Sequence, residues 1–348
     1  MSDDPVNLFA QQAANRRRSK WLVIWFVMFF LWLGFGADAI QYWMAKSAHP
    51  DRPAHFSPVF GIVLAVIAMV FAWSAWKNGP RRVLASTGAF ELLDAQTPQE
   101  TQLINVVDEM AVASGIPRPR IWIVPDPDPN AFATGHDEQG ANIAVTQGLL
   151  DTLSRDELQA VIGHEMGHIK NLDVRLMTLL AALVGAIALV SQGSMRMGIL
   201  PGGSSGSRDR SDSKSDNSSL GMILMVLWVV SWILAPIIVR ALALGVSRDR
   251  EYLADAMSAQ FTRNPASLAS ALQKIDAASE PTKAIPSGTA HLCIADPLGR
   301  SVNDRQGFLS NVFGTHPPIA MRIARLKAMA YQEMKRTGTF QEPGTATA

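Results

Sequence analysis

The sequence predicts an α-helical integral membrane protein, with four transmembrane helices and a mainly α cytoplasmic domain that contains a small β-meander. Three observations carry this. The 348 residues are 48% hydrophobic yet 18% charged, too apolar for an ordinary soluble domain and too charged to lie wholly in lipid. Apolar runs occupy residues 21–37, 57–76, 176–192 and 220–239, and each approaches the ~20 residues that cross a hydrocarbon core of roughly 30 Å. The polar stretches 77–173 and 240–348 carry helical and strand periodicities instead.

The first run follows a tail of residues 1–20 with no small-residue cleavage site, so it reads as a membrane helix rather than a signal peptide. Lys and Arg set the orientation. Arg16, Arg17, Arg18 and Lys20 precede the first run, and Lys77, Arg81 and Arg82 follow the second. Lys170 and Arg175 precede the third, and Arg240, Arg248 and Arg250 follow the fourth. These flanks share one side, which makes it cytoplasmic and turns loops 38–56 and 193–219 outward, to the periplasm. The second loop departs from the rule with Arg196, Arg208, Arg210 and Lys214, and its Ser/Gly/Asp bias reads as a disordered connector. Lys and Arg number 31 against 30 Asp and Glu, which leaves no field to attract nucleic acid. The single Cys293 excludes an intrachain disulfide framework, so a metal must be held by His and carboxylates.

Residues 77–173 and 240–335 then build one divided domain, followed by a flexible tail at 336–348. Leu103, Ile104, Val107, Met110 and Ala111 repeat at helical spacing until Gly115. "RIWIV" (120–124), "NAFATG" (130–135) and "NIAVT" (142–146) read as three successive strands, with "PDPDP" (125–129) as a turn. Ser154 and Glu157 form a capping box for a helix striped with Leu158, Val161, Ile162 and Ile169.

That helix carries His164, Glu165 and His168. Residues four apart on an α-helix stand one above the other, so both imidazoles can bind one zinc ion while Glu165 stands beside it. Zinc lowers the pKa of its water toward roughly 7, and a neighbouring carboxylate can take that water's proton. A catalytic zinc needs a third protein ligand. "GVSRDREYLADAMSAQF" (245–261) offers Glu251 as that ligand and Asp255, one turn on, as acceptor for the outer nitrogen of a bound imidazole. Spacing alone leaves a second reading open, in which both acids pair with Arg248 and Arg250 on a solvated face.

"HEMGH" after "SRDELQAVI" and before an apolar run, "SRDREYLAD" after the fourth run, "NAFATG" upstream and "THPPIAMRIARL" (315–326) downstream together resemble the HtpX-like membrane zinc metalloproteases. These are bacterial heat-shock proteases related to the eukaryotic CAAX prenyl proteases. The resemblance spans roughly residues 80 to 327. It implies a zincin-type domain with one zinc per chain on His164, His168 and Glu251, Glu165 as general base and Asp255 behind the ligands. It also implies that Asn130, Ala131 and Phe132 form an edge strand able to hold extended substrate. His316 matches the family's late His, as an oxyanion donor or as plain helix entry before Pro317. His49, His55, His136 and His291 match no motif and read as surface or loop histidines.

The implied activity is endopeptidase cleavage of misfolded or damaged membrane proteins and unfolded polypeptides, at the cytoplasmic face of the bacterial inner membrane. Asp156, Glu157, Lys170, Asn171 and Asp173 make the HEMGH helix too polar for the bilayer interior. The rival reading is a catalytically silent membrane adaptor that holds zinc for structure or binds unfolded clients.

Overall fold

In a computed structural model, residues 8–183, 248–278, 283–286, 289–295 and 317–337 are described. The end of the third apolar run, the 193–219 connector, the fourth run, His316 and most of the C-terminal tail lie outside the described residues. The described chain divides into two units. One contains residues 17–78 and 179–183; the other contains 8–16, 79–178 and the described residues from 248 onward.

The first two apolar runs lie in helices α1 (Leu8–Ala48) and α2 (Val59–Ser86), each long and apolar enough to cross a membrane. Within this unit Phe26, Phe30, Ala68 and Ala72 are buried together, while Trp25, Val70 and Trp73 stay exposed. Gly34 makes the contact between helices close, since a Cβ there would lie 2.7 Å from Gly61 Cα. Asp38 closes the start of α2 by accepting the Phe60 and Gly61 N–H groups at 3.0 and 2.7 Å. A buried carboxylate at a helix N-terminus satisfies donors that lipid cannot.

The second unit surrounds a four-stranded sheet. Its strands are β1 (Phe90–Glu91), β2 (Arg120–Val124), β3 (Ala131–Thr134) and β4 (Asn142–Thr146), in spatial order β1-β2-β4-β3. This corrects the expected meander. β4 pairs parallel to β2 and antiparallel to β3, so the second and third strands in sequence are not neighbours. Pro125, Pro127 and Pro129 are the physical reason. Lacking N–H groups and fixed in φ, they keep the connection from closing as a tight hairpin. The connection packs instead on the start of α4 (Gln147–Thr152), where Gly148 N–H donates to Asp126 O at 2.9 Å. A Cβ on Gly148 would lie 1.8 Å from Pro127 O. β4, buried along its whole length, takes the central place.

Helix α3 (Pro98–Ser114) has the expected apolar face and ends at Gly115 with φ 71°. It packs on α5 (Arg155–Lys170), which also contacts α6 (Arg248–Thr262) and α7 (Pro265–Ala277); α8 (Ile319–Thr337) lies against α7 and α6. Val106, Val107, Ile143, Leu158, Ile162 and Leu272 all share the main core.

The box that opens α5 is present as read. Ser154 accepts Glu157 N–H, and Glu157 Oε2 accepts Ser154 N–H at 2.7 Å. Partial burial raises the Glu157 carboxyl, but Lys274 Nζ, Ser270 Oγ and the Ser154 donors outweigh it and hold the group below the usual carboxylate range. Its stabilising contribution is therefore present above the unfolded value of about 4.3 and is lost as pH falls through the depressed folded value. Glu157→Ala should cost about 1 kcal/mol at pH 7, and the gap in thermal midpoint from wild type should close in acid.

Candidate metal centre

Two glycines on α5 determine how near α6 can come. A Cβ on Gly167 would lie 3.2 Å from Ala254 Cα, and one on Gly163 would lie 3.2 Å from Ser258 Oγ. Ser258 Oγ also donates to Ala160 O at 2.6 Å, which ties the two helices at the same level. This approach carries Glu251 to the His164 and His168 face.

His164 and His168 are 0 and 4% exposed, and their Nε2 atoms stand 3.2 Å apart. Glu251 Oε1 lies 3.5 Å from His168 Nε2, and Oε2 lies 3.8 Å from His164 Nε2. One candidate ligand atom from each residue falls within 4.8 Å of the others. Nitrogens bonded at about 2.0–2.1 Å to a tetrahedral ion stand about 3.3 Å apart, so the imidazoles already have the spacing that a shared ion requires. Two nitrogens and a carboxylate oxygen also suit a borderline-soft divalent cation.

The outer imidazole nitrogens face carboxylates. Asp255 Oδ1 is 2.9 Å from His164 Nδ1, and Asp173 Oδ2 is 3.2 Å from His168 Nδ1. An Nδ1–H that donates to its acid would leave the lone pair of Nε2 free for a metal ion. Asp255 is clasped by Arg322, whose Nε and Nη2 donate at 2.9 and 2.6 Å. Arg322 is fully buried on α8; its Nη1 donates to Ile294 O at 2.9 Å and stands 3.4 Å from Glu251 Oε2. Arg250 faces Asp173 at 3.6 Å rather than lying on a solvated surface.

Charge follows from this packing. Burial pushes the Glu165 carboxyl up to about 7, against the lowering effect of His168. Ala133 N–H on β3 lowers it slightly, without closing a hydrogen bond of standard geometry. Burial lowers His164 to about 4, and Arg322 adds to it against Asp255. Burial would lower His168 as well, but Asp173 and Glu251 raise it to about 9. Arg322 and His164 overcome burial at Asp255 and hold it at about 2. Glu165, Glu251, Asp255 and Asp173 are buried carboxylates facing the buried guanidiniums of Arg250 and Arg322, so a divalent cation would balance the count. The residues present therefore fit a metal ion of that charge, and loading it requires His168 to give up its proton.

The structure brings together five residues singled out from sequence: His164, Glu165, His168, Glu251 and Asp255. Asn130, Ala131 and Phe132 are buried at the start of β3. That edge is engaged by the chain itself, since Ile294 N–H donates to Ala131 O at 2.9 Å, Asn130 Nδ2 donates to Ala295 O at 3.1 Å and Phe132 bridges Cys293. His49 and His55 are exposed, whereas His291 is buried with Nε2 3.1 Å from Met177 O. Sequence reasoning missed the roles of Asp173 and Arg322. Asp173 lies only five positions after His168, just past a helix end at which Leu172 takes φ 58°. Arg322 sits inside a quoted motif, but nothing local ties it to Asp255.

Comparison with known proteins gives a consistent match. Residues 97–330 match the model of peptidase family M48. A "Protease HtpX homolog" of Thermoanaerobacter pseudethanolicus is 38% identical over 268 residues, covering 77% of this chain and 84% of that protein. One from Streptococcus gordonii is 38% identical over 323 residues, covering 92% of this chain and all of the relative. The crystal structure of S. mikatae Ste24p is similar with TM-score 0.43 and 18% identity, over 88% of this chain and 66% of that chain.

Gly167→Ala should cost about 1–3 kcal/mol as overpacking and weaken divalent-metal binding in a direct titration, because α6 must retreat with Glu251. Arg322→Ala should destabilise the protein by about 3–5 kcal/mol, read from unfolding midpoints, by leaving the buried Asp255 without its cationic partner and with only the His164 imidazole beside it.

Proposed function

The chain belongs to peptidase family M48, and from that premise we propose that it is a membrane-bound zinc metalloendopeptidase. Its substrates in this reading are misfolded or damaged membrane proteins, cut at the cytoplasmic face of the inner membrane during stress. The observation that carries the proposal is the buried His164, His168 and Glu251 set with Glu165 beside it. One zinc ion held by those three residues supplies a Lewis acid for the scissile carbonyl and an acidified water.

The chain's own groups do the rest. Glu165 takes the attacking water's proton at a carboxylate oxygen and delivers it to the leaving nitrogen, and its burial raises its basicity for that task. His164 and His168 are fixed in their tautomers by Asp255 and Asp173. His316 is proposed as a donor to the developing oxyanion. Asn130, Ala131 and Phe132 are proposed to hold substrate as an added strand, which gives main-chain recognition and broad sequence tolerance. For a strand to add there, the Cys293–Ala295 segment must leave that edge.

Membrane substrates follow from chain connectivity. Leu176, where the third apolar run begins, lies eight positions after His168, and even fully extended that stretch reaches at most about 28 Å. The Lys and Arg flanks assign that side to the cytoplasm.

The test is cleavage of unfolded casein by detergent-purified protein, prepared with chelator and started by adding zinc. Glu165→Ala should keep zinc while losing about 100-fold or more in rate, and His168→Ala should lose both. Zinc binding without cleavage in the wild type would favour the silent adaptor.

A further inference from the structure

Residues ahead of the first apolar run reach the back of the metal centre. Asn15, in the early turns of α1, is 2% exposed. Its Nδ2 donates to Asp173 Oδ1 at 2.7 Å and to Asn171 O at 2.9 Å. Both partners are pure acceptors, so the amide must present its NH2 group here and its orientation is not ambiguous. The other oxygen of the same carboxylate, Asp173 Oδ2, faces His168 Nδ1 at 3.2 Å. Asn15, Asp173 and His168 thus stand in series, ending on the face that Glu251 approaches.

We propose that Asn15 is a positioning residue for the metal site, acting through Asp173 on His168; this rests on the metalloprotease reading above. A fully buried carboxylate is held only by the donors around it. Arg250 offers Asp173 a distant one, 3.6 Å from Oδ1, the same oxygen that Asn15 holds. With Asn15 in place, Oδ1 is pinned and Oδ2 stays on His168, which fixes the orientation of the ring and so of its Nε2. Without it, the carboxylate is drawn toward Arg250 and the imidazole loses the contact that holds its ring in place. Gln12, one turn earlier, donates to Lys170 O at 2.6 Å but makes no bond to Asp173. It anchors the same helical segment without entering the series, which separates docking from positioning.

The experiment uses full-length protein in detergent, with zinc affinity measured against a competing chromogenic chelator and the visible spectrum recorded after cobalt substitution. Asn15→Ala should weaken zinc binding by about tenfold and alter the cobalt spectrum, while Gln12→Ala leaves both at wild-type values. Asn15→Ser, which keeps one short donor, should lose less and serves in place of Asn15→Ala if that variant does not fold. The proposal is overturned if the folded Asn15 variants bind zinc within twofold of wild type with an unchanged spectrum, or if Gln12→Ala causes the same loss. A wild-type protein that fails to bind zinc would sink the metalloprotease reading instead, so the two failures are distinguishable.

Discussion

The close packing of α5 on α6 is the constraint from which the site follows. His164 and His168 are local to one helix, but the third donor comes from another. A side chain at Gly163 or Gly167 would hold that helix off, because the contacts there are already 3.2 Å for a virtual Cβ. Small residues one turn apart thus let two backbones meet, and the meeting brings a carboxylate to the imidazoles. The HEMGH segment contributes its glycine to this contact as much as its histidines to the candidate metal site.

Such proximity concentrates charge in a dry place, and the surrounding acids and guanidiniums answer it. Removing buried charges from water is expensive unless each is paired and hydrogen-bonded. Asp255 is paired by Arg322, and Asp173 is approached by Arg250 and Asn15. The same pairs orient the imidazoles, so the groups that make the buried charges tolerable also set the ligand geometry. α8 contributes through Arg322, and the start of α1 through Asn15.

What was legible in the sequence depended on distance along the chain. His164, Glu165, His168 and the Ser154 and Glu157 box are local patterns that helical periodicity places directly, whereas for Glu251 and Asp255 it gave a shared face but left open whether that face met a metal or Arg248 and Arg250. The apolar character of α1 and α2 is local as well. Strand order was not legible, because pairing is a long-range choice and the prolines of the 125–129 connection act by excluding a turn rather than by naming a partner. The Arg322 contact with Asp255 spans 67 residues and the Asn15 contact with Asp173 spans 158. Neither has a neighbour in sequence to announce it. Asn15 in particular precedes a run whose composition draws attention to lipid and away from the metal.

The division of the ligands between α5 and α6 also has a meaning in time. His168 and Glu251 are 83 positions apart in the chain, and at synthesis rates of roughly 5–20 residues per second the second emerges about 4–17 s after the first. Arg322 comes later still. A nascent chain therefore exposes its two histidines well before the third candidate donor exists to join them. The order of synthesis acts as a delay, and α8, the last helix among the described residues, brings the guanidinium that clasps Asp255.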